Sequence, residues 1–154
     1  MVSLRKRGFT LLELVIVLTL VSLIAGVVGP KLADGVQRWS ITAAADQFVL
    51  AHSLARSTAL RYGRVAELHI VGAASRFWVE VDTSGSGQRA RVGLVHDLAD
   101  GGVRMVSSRS LLCFDARGLA TTSRACQPGD ATVVFAMAAR VDTVRVTTLG
   151  RVLR

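Results

Sequence analysis

The sequence predicts an α+β protein in which a long N-terminal helix packs on a C-terminal antiparallel β domain, expected as two small sheets. Three observations carry this. Residues 9–28 form an almost unbroken apolar run. Residues 31–62 are rich in Ala, hold one glycine and no proline, and repeat apolar side chains at helical spacing. From residue 63 onward the pattern changes to alternation with period two, broken by Gly/Ser turns.

The first element is the apolar run. Between Phe9 and Val28 only Thr10, Glu13, Thr19, Ser22 and Gly26 interrupt it, and about 20 such residues are what a helix needs to cross a bilayer core. The chain as a whole is 51% apolar, high for a purely soluble domain, and its 154 residues suit one domain plus one membrane segment. Arg5, Lys6 and Arg7 precede the run, so this end is expected to stay cytoplasmic and the remainder to face outward. A secretory signal peptide or a passive anchor would share these features. Glu13 weighs against both, because a carboxylate within an apolar helix costs about 2.5–3.5 kcal/mol on insertion. A subunit that requires a charged partner inside the membrane has a use for it.

RKRG followed by FTLLELVIVLTLVSLIAGVVGP resembles the leader and N-terminal helix of type IV pilins and type II secretion pseudopilins. The resemblance implies that a prepilin peptidase cuts after Gly8 and that the new N-terminus, Phe9, is N-methylated. It matches Glu13 to the family's glutamate at the fifth mature position and Pro30 to its proline at the twenty-second. Cleavage would leave an amine four residues from Glu13, which can then pair with its own amine or, as the family account favours, with that of a neighbouring subunit during assembly. A buried pair of this kind sets register more surely than it adds stability. The resemblance divides the chain into a cleaved leader (1–8), a transmembrane and filament-core helix (9–29), an amphipathic periplasmic helix (30–62) and a β-rich periplasmic domain (63–154). The implied location is the bacterial inner membrane, single-pass, with the C-terminal domain in the periplasm. The implied partners are other pilin or pseudopilin subunits and the prepilin peptidase.

Pro30 lacks a backbone donor, so it is expected to kink or restart the helix. Beyond it Ile41, Ala44, Ala45, Phe48, Ala51, Ala55, Ala59 and Tyr62 share one side, and Trp39, Ala43, Leu50 and Leu54 form a second ridge roughly opposite. Two apolar sides point to one packed on the protein's own sheets and one on neighbours, unless the second is surface scatter. His52 falls amid the first side and reads as a satisfied core histidine.

Strands are expected at 65–71, 76–81, 91–95, 103–106, 111–114, 131–137 and 141–148, with turns at 83–88 and 100–102. FDARGLATT (114–122) and the ending VTTLGRVLR (146–154) resemble the GspH/FimT branch of the family, the minor pseudopilins and minor pilins. In an oxidising periplasm Cys113 and Cys126 could close a loop of 14 residues, worth about 3 kcal/mol on the chain-entropy account. A metal at these cysteines is not expected, since no histidine pair stands at zinc spacing.

No enzyme is expected. His52, His69 and His96 are scattered, and HExxH, GxSxG and Walker A patterns do not occur. GSGQRA (85–90) lacks the third glycine of a dinucleotide loop, and no cofactor is implied. Two function classes stand. The first is a structural subunit of a secretion pseudopilus, nucleating or capping the filament. The alternative is a type IV minor pilin that captures DNA. The net charge is +8, and from Arg104 onward eight Arg face three Asp. A basic surface of this kind is either simply solvated or attracts polyanions. DNA-binding members of the branch end in Gly-Arg-x-Arg, which the tail Gly150-Arg151-Val152-Leu153-Arg154 misses by one residue, setting Arg151 and Arg154 on opposite sides of a strand. Arg140 and Arg145 are the supporting candidates.

Overall fold

The computed structural model describes residues 10–122, 126 and 130–154, without the side chains of 27–30 and 33. Gly8 and Phe9 lie outside the described residues. Two compact units are present, Met1–Val36 and Gln37–Arg154. One helix, α1 (Leu11–Tyr62), contributes to both.

In the first unit Thr10 opens α1, its hydroxyl accepting the Glu13 backbone N–H at 3.2 Å. The helix continues through Pro30 without interruption, which corrects the expected restart: a proline removes one backbone hydrogen bond, and the bonds of the flanking turns carry the helix on. Among the described residues no helix is both long and apolar enough to cross a membrane. The apolar residues with described side chains run from Leu11 to Gly26, 16 positions, so the ends of the run counted in the sequence lie outside them.

The second unit wraps two antiparallel sheets around the C-terminal half of α1. Its strands are β1 (Ala66–Val71), β2 (Arg76–Val81), β3 (Ala90–Asp97), β4 (Arg104–Ser107), β5 (Leu111–Phe114), β6 (Ala131–Met137), β7 (Arg140–Val146) and β8 (Val152–Leu153). The first sheet has the order β3-β2-β1-β5 and the second β4-β6-β7-β8. The chain therefore leaves the first sheet for β4, returns for β5 and leaves again.

Alternation decides what each strand buries. Leu68 and Ile70 of β1, Phe77, Val79 and Val81 of β2, and Phe114 of β5 line the inner side of the first sheet; Met105, Val133, Phe135, Val144 and Val146 line that of the second. Between them lies the predicted helix side, with Ala45, Phe48, Ala55 and Ala59 fully buried. Alanines let both sheets approach the helix, and Phe48 fills the remaining gap. Its ring meets Phe77 edge-on at 5.5 Å and Phe135 at 5.9 Å, one from each sheet.

The second helix ridge divides. Trp39 and Leu50 are exposed, at 73% and 67%, whereas Leu54 packs against the core. Opposite Leu54 the β2–β3 register slips between Phe77 and Val79. Gly93 sits in this irregularity at φ +80, and a Cβ there would come within 2.8 Å of Leu54 Cδ2.

Candidate assembly surfaces and polar clusters

The assembly residues named from the sequence belong to the first unit. Thr19 and Ser22 donate their hydroxyls to the Ile16 and Leu18 carbonyls of their own helix, each at 2.8 Å. Their polarity is thereby satisfied internally, and Leu11, Leu12, Leu14, Ile16, Leu18 and Leu23 leave the helix exterior apolar and exposed. Glu13 is exposed one turn in and has no ionic partner among the described residues. The helix can thus pack against apolar neighbours, with one carboxylate available to specify a cationic one.

The basic candidates do not form one patch. Arg154 turns toward the helix, its Nη2 2.7 Å from Asp142 Oδ2 and its Nη1 paired with Asp46. These bonds, Asp142 first, raise its pKa further. Arg145 pairs in register with Leu153 and faces outward with Arg151, both exposed. Arg140 opens β7, five residues from Arg145, which is about 17 Å along a strand and, being an odd step, on its opposite face.

Cys113 and Cys126 form a disulfide, with Cα atoms 6.0 Å apart. His52 is 2% exposed, edge-on to Phe114 at 4.9 Å. It is the core histidine expected, but its Nε2 has no hydrogen-bond partner among the described residues. Burial, then the nearby Arg56 charge, lowers its pKa to about 4, opposed only by the Gly150 backbone. One turn further on, Arg56 donates to the Gly118 carbonyl at 2.8 Å and the Gly150 carbonyl at 3.4 Å. Gly150 adopts φ +74, and a Cβ there would stand 3.2 Å from Phe114 Cε1 and 3.3 Å from Ala120 N. His96 stacks on Phe77 at 4.8 Å, with Nδ1 3.3 Å from Gln47 Oε1.

One cluster was not anticipated. On the outer side of the first sheet Glu67 stands directly opposite Glu80 on one neighbour and Cys113 on the other. His69 Nε2 lies 3.3 Å from Glu67 Oε2 and 3.4 Å from Glu80 Oε2. The Glu-x-His spacing in β1 was the available signal, since alternation sends both side chains to one side.

Residues 3–29 match the prokaryotic N-terminal methylation motif. Residues 44–150, 107 of the 154, match the type II transport protein GspH family. No curated protein matches the chain. The fold is similar to the crystal structure of the type IV minor pilin FimU of Pseudomonas aeruginosa, at TM-score 0.58 and 18% identity, covering 75% of this chain and 88% of that one. It is also similar to the minor pseudopilin EpsH from the Type 2 Secretion System of Vibrio cholerae, at TM-score 0.57 and 12% identity, covering 74% and 94%. At these identities the likeness establishes a shared pilin-like α+β fold, and with a family match spanning more than half its length the chain belongs to the GspH family of type II transport proteins.

Proposed function

We propose that this protein is a minor pseudopilin of a type II secretion system, a structural subunit rather than an enzyme, which nucleates or caps the pseudopilus. The observation that carries the reading is the first unit's surface: an exposed apolar helix whose first-turn carboxylate, Glu13, has no ionic partner among the described residues, on a chain whose second unit has the GspH match. In this reading prepilin peptidase removes residues 1–8, Phe9 is methylated, and the apolar helix holds the chain in the inner membrane in a single pass. The β domain faces the periplasm. On assembly, Glu13 pairs with the amine of a neighbouring subunit while the apolar helices pack. Pro30 lies past the run, where the helix leaves the apolar phase. Glu13→Ala tests this, because losing a charge eases insertion while leaving the neighbour's amine without its partner. The variant should fractionate with the membrane like the wild type yet fail to restore secretion in a deletion strain. Full complementation would remove the pairing role.

The alternative, a minor pilin that captures DNA, has less to draw on. Arg154 is committed to two carboxylates, which leaves Arg145 and Arg151 as the outward pair on this edge.

A further inference from the structure

The second sheet has an edge that its own strands cover only in part. β8 pairs with β7 at Arg145 and Val146, and the Thr147 N–H donates to the Arg151 carbonyl at 2.9 Å. Every second residue back from Thr147, namely Arg145, Thr143 and Val141, therefore turns its N–H and carbonyl to that same edge. Beside Thr143 and Val141 no strand lies among the described residues. The Thr143 N–H is taken instead by the adjacent Asp142 side chain, whose Oδ1 accepts it at 2.8 Å. A carboxylate in the place of a ladder partner is one way an open edge is kept from indiscriminate pairing.

The open stretch borders a groove of about 450 Å³ between the helix and the sheet. Arg38, Ile41 and Thr42 of α1 form one wall, and Arg140 and Asp142 of β7 belong to the other. Ile41 is buried and gives the groove an apolar floor. Asp142 is already engaged, its Oδ2 2.7 Å from Arg154 Nη2, and Asp46 pairs with the same guanidinium. Arg38 is exposed and has no carboxylate partner among the described residues. On the outer side of the sheet Val141 is 63% exposed, an odd step from buried Val144 and so on the opposite face.

We propose that this edge accepts an extended segment of a different protein chain, added antiparallel to β7 beside Val141 and Thr143, with acidic side chains turned into the groove toward Arg38 and apolar ones turned outward beside Val141. In strand addition of this kind main-chain hydrogen bonds supply the affinity and alternate side chains the selection. Asp142 gives up the Thr143 N–H to the incoming carbonyl and keeps Arg154. A second copy pairing β7 on β7 fits less well. Bonding Val141 of each copy to Thr143 of the other would set the two Asp142 residues directly opposite, where like charges repel.

The test uses the isotope-labelled full-length chain in detergent micelles and two end-blocked hexapeptides, one alternating Asp with Val and the other Lys with Val. At millimolar concentration the acidic peptide should shift the Val141 and Thr143 amide resonances saturably and slow their hydrogen exchange. The basic peptide should bind at least tenfold more weakly. Thr143→Pro removes the edge N–H without taking a bond from the β6 ladder, and proline is tolerated on an edge strand; it should weaken the acidic peptide about fivefold or more. Arg38→Glu, at an exposed helix position, should reverse the preference between the peptides. The proposal is overturned if no saturable shift reaches these amides in the wild type, if both peptides bind equally, or if Arg38→Glu keeps the wild-type preference. Broadening of the same amides on raising the protein concentration without peptide would seat a second copy there and overturn the choice of occupant. None of these readouts involves secretion, so they stand apart from the complementation assay.

Discussion

Acidification should loosen the second unit through His52. Its pKa is lowered from 6.5 to about 4 by burial against Phe114 and by the charge of Arg56. A folded-state pKa below the unfolded value means that the unfolded chain binds more protons between the two. The stability contributed by neutral His52 is therefore complete above about pH 7, declines as pH falls through 6.5, and is gone near pH 4. The full shift corresponds to about 3 kcal/mol, and roughly 2.5 of that should be lost by pH 4.5. Against a total of about 5–15 kcal/mol for an ordinary domain, this is a large fraction. Urea unfolding of a soluble fragment spanning Gln37–Arg154, at pH 7.5, 6.0, 5.0 and 4.5, measures it. His96 is shifted in the same direction by burial, so the background should carry His96→Gln. The carboxylates of Asp82, Asp97 and Asp115 are held below 3.8, so their loss begins lower. In that background His52→Leu should flatten the dependence. A variant that keeps the parental slope from pH 7.5 to 4.5 would refute the assignment of the slope to His52.

Three further outcomes are expected. Mass spectrometry of the native protein should show loss of residues 1–8 and a methylated Phe9, and a bulky residue at Gly8 should leave the precursor uncut; normal maturation of that variant would end the prepilin assignment. Replacing Cys113 and Cys126 by Ser should lower the stability of the second unit by about 3 kcal/mol in urea titrations, and freshly isolated wild-type protein should have no titratable thiol. DNA binding by the fragment should be weak and vanish near physiological salt; if capture is real instead, Arg145→Ala with Arg151→Ala should reduce the salt slope by about two charges' worth.

Much of the fold was legible because its signals are local. The run at 76–81 alternates, those at 111–114 and 131–137 are short apolar stretches bounded by polar or turn residues, and β2, β5 and β6 occupy those same bounds. The helix side built on Ala44, Phe48, Ala55 and Ala59 is the buried one because a period of 3.6 is visible without knowing what covers it. Pairing was not legible. β4 and β5 are separated by three residues and belong to different sheets, a choice made by partners far along the chain. β8 has two residues, too few to show any period. Alternation placed Glu67 and His69 on the outer side, where polar residues normally meet water. That Glu67 is buried there goes with a disulfide, Arg89 just before β3 and a facing strand, none of them adjacent to it in sequence. Arg154 read as a candidate DNA contact beside Arg151, because its two carboxylates, Asp46 and Asp142, lie 108 and 12 positions away and the sequence does not show them meeting it.

The Arg154 contacts have a consequence for how the chain completes itself. A polypeptide is made from its N-terminus, so all of α1 exists before residue 154 does. Yet the helix is fastened by groups that arrive late: Arg56 waits for the Gly150 carbonyl, 94 positions on, and Asp46 waits for the final residue. Closing contacts over such spans is slow compared with forming a helix. The helix is therefore complete before the last contacts that fasten it to the second sheet can close.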